Sequence, residues 1–251
     1  MQDNSFEEIQ KLAFMHFSAQ MFVCLPCVVI SVENLGEQRV TVQPSINKKY
    51  KDGKEEERGV ILSVPVVFPA SRTSSFTFPI NKNDTVLCVF SQRSLDMFKT
   101  GSGYPSAPND YRRFSTRDAI AIPGLFPFNK AINNPAKRNL AHSVNDAVVV
   151  HNIGTGGECE LRLKENGDIQ LNTPNNKVIV NCKDAVVNST TVDINANSMT
   201  VDVANTTWTG NITLSGNLTQ SGTYILDGIT FNNHKHTGVM AGPSVTGTPT
   251  N

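Results

Sequence analysis

The sequence has no excess of charge of either sign, because 22 Lys and Arg residues balance 22 Asp and Glu residues. It therefore has no basic field to attract nucleic acid and no acidic tail to attract a basic partner. The charged residues are unevenly distributed along the chain, since only 9 of the 44 lie in the last 87 positions. In the same 87 positions Asn and Thr together number 29. This shift in composition predicts two parts with different architectures.

Cysteine is scarce and provides no disulfide framework. The five cysteines are odd in number and scattered along the chain, which is typical of reduced thiols. Cys24 and Cys27 have the C-x-x-C spacing of a redox site or half a zinc site, but there is no second pair and a strand pattern follows directly. We interpret them as small apolar residues at the entrance to a strand.

Long apolar runs are absent as well. The most apolar one, residues 14–30, is interrupted by polar residues and by Pro26, and it has no basic start. It falls short of a membrane span and lacks the features of a signal peptide. We therefore expect a protein that is made soluble in the cytoplasm and is not exported by the Sec route.

The N-terminal half contains a helix signal followed by strand signals. A capping box at residues 5–8 and apolar residues at helical spacing up to Ala13 predict a short amphipathic helix. About five strands and one long charged loop suit a small Greek-key barrel such as an OB-fold. Runs rich in Val, Ile and Phe, bounded by turn residues, predict strands at residues 28–32, 39–42, 60–68 and 84–90.

The C-terminal part alternates apolar and polar residues in short groups separated by turns. Each group predicts a short strand that buries two or three side chains, too few to offset the entropy of ordering the segment. A single-chain solenoid would solve this, but it normally shows a tighter period. Identical chains wound about a threefold axis would pool the side chains into one core and leave no free sheet edge. The groups are Ile169 and Leu171; Val178 and Val180; Val192 and Ile194; Met199, Val201 and Val203; and Ile212 and Leu214.

Near the C-terminus, His234 and His236 are separated by one residue. In an extended strand residues i and i+2 point to the same side, about 7 Å apart at Cα, so both imidazoles can approach one ion. On a threefold axis the pair becomes six nitrogens in an octahedron, which iron(II) or nickel accepts more readily than zinc does. The spacing predicts a metal site if the chain is a trimer with its axis through this point. The other histidines, His16, His142 and His151, are interpreted as ordinary surface or core residues.

Four stretches, taken in order, resemble one family. They are NDTVLCVFSQRS at 83–94, DAIAIPGL at 118–125, GNITLSGNLT at 210–219 and HKHTG at 234–238. The likeness is to the central spike of contractile phage tails, the baseplate assembly protein V group and its larger membrane-puncturing relatives. It covers nearly the whole chain. Some relatives carry a lysozyme domain between barrel and rod, and this chain has no room for one.

The resemblance implies an all-β fold in five parts. These are a helical arm (1–20), an OB-fold barrel (21–98), a connector packed on the barrel (99–147), an intertwined trimeric β-helix rod (148–230) and a small metal-binding apex (231–251).

The resemblance also implies a function. A homotrimer would dock through its barrel on the baseplate hub protein and pierce the host outer membrane with its tip. One iron(II) ion per trimer would be held by His234 and His236 of three chains, and the presence of further ions on the rod axis is left open. The protein would be part of the virion at the tip of the tail baseplate, made in the host cytoplasm, with no catalytic residues and no nucleic-acid partner.

Three other functions are alternatives. An OB-fold that binds nucleic acid needs a basic groove with exposed aromatic residues, whereas Phe68, Phe76, Phe78 and Phe90 sit in apolar strand patterns. A metalloenzyme needs three ligands, an open position and a general base, and the carboxylate nearest in sequence to the histidine pair is Asp227. A trimeric tail fibre or adhesin shares the rod, but it should end in a larger receptor-binding head than this short small-residue segment.

Overall fold

The computed structural model describes residues 6–231 and consists mostly of strands, with few helices. The chain divides into two compact units, residues 1–181 and 182–251. The predicted all-β fold class is confirmed. Besides strands, the described residues contain two α-helices and short 3-10 turns at Leu35–Glu37, Thr116–Asp118, Phe128–Lys130 and Pro135–Lys137.

The helix predicted at the start of the chain is present as α1 (Phe6–Gln20). Glu7 and Glu8 lie in its first turn, where negative charge interacts favourably with the positive end of the helix dipole. No residue of α1 is buried, and even Phe6 and Phe14 are mainly exposed. The helix therefore contributes nothing to the core of the barrel.

A curled sheet follows α1. Its five strands have the order β5-β2-β1-β6-β7, and all neighbours are antiparallel. The two ends of the sheet meet at a parallel bridge between Val66 and Ala121, next to which the Val67 N–H donates to the Ala121 carbonyl oxygen at 2.9 Å. The sheet is thus a half-barrel that begins to close. The strands of this region are β1 (Cys24–Asn34), β2 (Arg39–Pro44), β3 (Lys48–Lys49), β4 (Glu55–Glu56), β5 (Ile61–Pro65), β6 (Thr85–Phe90) and β7 (Ala119–Pro123).

The barrel core comes from alternate residues of these strands. In β6 the pattern is strict, since Val86, Cys88 and Phe90 are buried and the residues between them are half-buried. Successive side chains of a strand point to opposite faces, so the small and β-branched residues of every second position fill the interior. The other fully buried members are Cys27, Val29, Val40, Val42, Ile61, Val64, Ala119 and Ala121.

Strand β7 comes from the range predicted as a connector. Residues 119–123 pair along β6 from Val86–Pro123 to Phe90–Ala119 and supply the fifth strand of the sheet. The connector therefore contributes to the barrel as well as packing beside it.

The short hairpin β3–β4 lies in the long charged loop predicted from the sequence, with Lys48–Glu56 and Lys49–Glu55 ion pairs at 3.4 and 3.5 Å.

The segment between β6 and β7 is held by one arginine. Helix α2 (Asp96–Thr100) begins it, and the Arg112 guanidinium donates to the buried Asp118 from Nε at 2.7 Å and from Nη2 at 2.9 Å. Asp118 also accepts from the Leu95 N–H at 2.8 Å, and Arg112 forms ion pairs with Asp96 and Asp110. This network fixes the loop that leads into β7.

A second, three-stranded sheet follows. It consists of β8 (Ala147–His151), β9 (Cys159–Leu163) and β10 (Ile169–Asn172), in the order β10-β9-β8, and we call it the collar sheet. A turn that contains Asn166 and Gly167 joins β9 to β10, with Gly167 at φ 92°. In the β8–β9 loop, the Glu158 carboxylate accepts from the N–H groups of Asn139, Leu140 and Gly154 at 3.0, 3.0 and 2.6 Å. The chain before the collar sheet is thereby tied to it.

After the collar sheet the single chain forms no strand until a short hairpin, β11 (Ile225–Leu226) and β12 (Ile229–Thr230), near the end of the described residues. The strands predicted between residues 178 and 214 were expected to pair across a rotation axis with other copies. In the single chain these segments have no ladder.

Candidate functional site

The β11–β12 hairpin leads into the predicted metal-binding apex. Its two turn residues, Asp227 and Gly228, have φ of 49° and 79°, the left-handed pair that a type I′ hairpin turn requires. The Phe231 N–H donates to the Tyr224 carbonyl oxygen at 2.8 Å, and the two rings meet at 5.7 Å between centroids. The chain thus leaves a tight, aromatic-braced hairpin three residues before His234.

His234 and His236 themselves lie outside the described residues. Their donor atoms can still be compared with the ligands preferred by iron(II), the ion that the resemblance implies. Imidazole nitrogens suit iron(II), and three chains with two histidines each supply the six donors of an octahedron. The residues present in the sequence fit such an ion.

The segment after the collar sheet presents its apolar side chains to solvent. The apolar side chains of every predicted strand group are exposed, by 55–74 % in the single chain. A monomeric soluble protein rarely exposes long contiguous rows of this kind. The rows therefore indicate a surface that other chains cover. Their members include Val178, Val180, Val192, Ile194, Met199, Val201, Val203, Ile212 and Leu214.

The total surface leads to the same conclusion. The chain has an accessible surface of 21425 Å². A folded monomer of 27.4 kDa is expected to expose roughly 11,000 Å². The chain exposes about twice that area, which agrees with the presence of uncovered apolar rows.

The Cys24 and Cys27 pair is not arranged as a redox or zinc site. Both lie on β1, where Cys24 is exposed and Cys27 is buried in the barrel core beside Cys88. The hydrogen bond with Cys27, together with burial, raises the pKa of the Cys88 thiol. Because one thiol is exposed and the other is buried in the core, the two do not form one accessible site, which supports the interpretation of Cys24 and Cys27 as strand packing.

The histidines and acidic residues of the described chain do not gather into a second site. His16 bonds to Gln20 within α1 at 2.8 Å, and His142 bonds to the neighbouring Ser143 carbonyl oxygen at 2.6 Å. Within residues 6–231, no three His, Cys, Asp or Glu side chains lie close enough together to hold a metal ion. The same residues include no helix that is both long and apolar enough to cross a membrane.

The aromatic residues of the barrel differ from one another in exposure. Phe90 is buried as predicted, while Phe76 and Phe78 are about half exposed and pack with Phe68 in a small edge-to-face cluster. The rings contact one another rather than forming a row of separate platforms on which bases would stack.

Two protein-family models match the chain. The model described as the phage protein Gp138 N-terminal domain matches residues 25–124, which hold nearly all of the five-stranded barrel sheet. The model described as the GpV Apex motif matches residues 228–250, which begin in the turn of the β11–β12 hairpin and include His234 and His236. No curated protein matches the chain.

The two family matches indicate a multimeric structural component of the phage virion that is associated with the baseplate. More particularly, the two matches indicate a baseplate central spike protein of the GpV-like kind. Its role is that of a structural spike.

Two features of the structure were not predicted from the sequence. The Arg112 network depends on carboxylates that only the folded loop brings together, and nothing in the local pattern marks it. The exposed apolar face of the collar sheet was predicted only at Ile169 and Leu171. The alternation of Val149, Leu161 and Leu163 would have extended that prediction to all three strands.

Proposed function

We propose that the protein is a homotrimeric, cell-puncturing spike at the tip of a contractile tail, which pierces the host outer membrane during infection. The observation that carries this proposal is the long set of apolar rows without an intrachain partner. Three copies wound together would cover the rows and turn a segment without ladders into a stiff rod. A stiff, narrow rod is what a tail needs in order to transmit force to a membrane.

The metal-binding apex would form the tip of the spike. His234 and His236 of three chains would hold one iron(II) ion, with further ions on the rod axis left open. The ion would tie the chains together where the narrowing rod has least core, and the small residues after Thr237 would let three chains approach the axis closely. No step of the proposed function requires catalysis, so we expect the protein to have no enzymatic activity.

The barrel is the part that we assign to the baseplate. It has its own core and is matched by a separate family model, so it can serve as a rigid base while the rod performs the puncture. We propose that it docks on the hub protein of the baseplate. The protein would be made in the host cytoplasm, where its cysteines stay reduced, and then be built into the virion.

A competition experiment separates this function from that of a trimeric adhesin. Host cells are incubated with an excess of the purified protein before phage is added. We expect phage adsorption to be unchanged, because a spike acts after attachment. Blocked adsorption would assign the protein to receptor binding and would contradict the proposal.

A further inference from the structure

The collar sheet has an unusual distribution of side chains between its two faces. Residues paired directly across antiparallel strands lie on the same face. Val149 is paired with Leu161, and Leu161 with Leu171, while Leu163 is paired with Ile169. These five apolar side chains are 38–70 % exposed, so this face of the sheet, which also holds Ala147, His151 and Cys159, is largely apolar and uncovered.

The opposite face is mainly polar, with Val148 and Val150 as its apolar members, and the chain covers most of it itself. Glu160 is buried there, forms an ion pair with Arg162 and accepts from the Asn172 amide at 2.8 Å. Arg162 also donates to the Ala141 carbonyl oxygen at 3.0 Å, which brings the preceding connector over this face. The single chain thus covers the polar face of the sheet and leaves the apolar face to solvent.

The occupant that fits the apolar face is a second copy of the same chain. The face carries no Lys, Arg, Asp or Glu, since the charged residues of β9 all point to the covered side. Around a threefold axis, residues close to the axis meet their own copies, so a charge there would meet its own sign. In sequence, the face runs directly into the exposed apolar rows that begin at Val178.

The collar sheet also differs from the segment that follows it. Its ladders are complete in the single chain, whereas residues 173–223 contain no strand. A strand of period two that slips by one residue exposes every apolar side chain, so the register of the rod must be fixed by something. A preformed apolar sheet presents a fixed surface to other copies without first having to be ordered.

We propose that the collar sheet nucleates assembly of the trimer and sets the register of the rod. Three copies meet first through the faces that contain Leu161 and Leu171, and residues 173–223 then pair progressively toward the apex. This inference rests on the proposed homotrimer and assigns its first contact. It separates two roles within the rod, since the collar sheet governs the rate of assembly while residues 173–223 supply most of the final stability.

The experiment compares two matched substitutions in the full chain. Leu171 in the collar sheet and Leu214 in the rod are both 65 % exposed in the single chain. Each is changed to Glu, and each unfolded protein is returned to native buffer at several concentrations. Trimer formation is followed by light scattering. We expect the Leu171→Glu chain to assemble at least tenfold more slowly than the wild type, and the Leu214→Glu chain to assemble within threefold of it but to melt at a lower temperature.

A milder pair of variants controls for the possibility that the Glu substitution unfolds the collar sheet. Thr keeps a high strand propensity, so Leu171→Thr and Leu214→Thr should preserve local structure. Amide exchange in β8–β10 is measured in parallel to show that the sheet is intact. Equal assembly rates for the collar and rod variants, or a slower rod variant, would overturn the inference while leaving the trimer in place. A wild-type chain that stays monomeric would instead remove the proposed function itself.

Discussion

At the residue scale, the barrel depends on a buried ion-pair network around Arg112. The side chain of Asp118 has no exposed surface, and that of Arg112 is largely covered. Burial acts to raise the pKa of Asp118, but the hydrogen bonds from Arg112 and from the Leu95 N–H outweigh it and hold the pKa below its usual value. The hydrogen bonds to Asp118 and Asp96 in turn raise the pKa of Arg112.

We expect Asp118→Asn to lower the free energy of unfolding of the barrel by about 3 kcal/mol, because it leaves a buried guanidinium without its main partner. The matched control is Asp110→Asn, whose side chain is 42 % exposed and which should cost less than about 1 kcal/mol. Denaturant unfolding of both variants measures the difference. Equal losses at the two positions would mean that burial of the pair does not matter.

The same carboxylate predicts a pH dependence. A folded pKa below the unfolded value of about 3.9 gives stability that is complete above that pH and is lost as pH falls through the folded pKa. The wild-type barrel should therefore lose stability below about pH 4 more steeply than Asp118→Asn does. Unfolding curves recorded between pH 5 and pH 2 should show the difference in slope, and parallel curves would contradict it.

The histidine pair gives the third residue-scale prediction. The purified trimer should contain about one iron for every three chains, since the ion needs six imidazoles. Replacing both His234 and His236 by Ala should abolish the iron but leave the trimer intact, because the rod above has its own core. Elemental analysis together with mass in solution checks both parts. One metal per chain would instead indicate an ordinary site within a single chain.

At the element scale, α1 and the barrel are independent. No side chain of α1 is buried, so removing residues 1–20 should leave the unfolding free energy of the barrel within about 0.5 kcal/mol of the full-length value. Denaturant unfolding of the shortened chain, followed by a signal from the barrel, measures this. A loss of several kcal/mol would show that the helix packs on the barrel after all.

The elements also show how far the sequence could predict the fold. Strands β1, β2, β5 and β6 were predicted because their Val- and Ile-rich runs carry a local signal of period two. Residues 119–123 form a strand only because β6, some thirty positions earlier, provides a partner, and strand formation of that kind depends on tertiary context. The Arg112 network likewise needs three segments of the loop to meet, at residues 95–96, 110–112 and 118. The groups between residues 178 and 214 carry the strand signal, but the partners that would form their ladders are other chains.

At the scale of the whole molecule, the main feature is an apolar surface that one chain leaves uncovered. The barrel is well packed, while the collar face and the rows that follow it expose apolar side chains throughout. In the proposed trimer, closing three chains about an axis would remove this surface from water and pair every free strand edge at once. The proposed trimer would give the low charge after Glu165 a physical reason, because these side chains would then face other copies rather than solvent.

The most direct test is the mass of the purified full-length protein in solution at micromolar concentration, measured by light scattering after size-exclusion chromatography. The account predicts one species of three times 27.4 kDa that persists on dilution. A folded species of 27.4 kDa would contradict the account, because its exposed apolar rows would then have no partner.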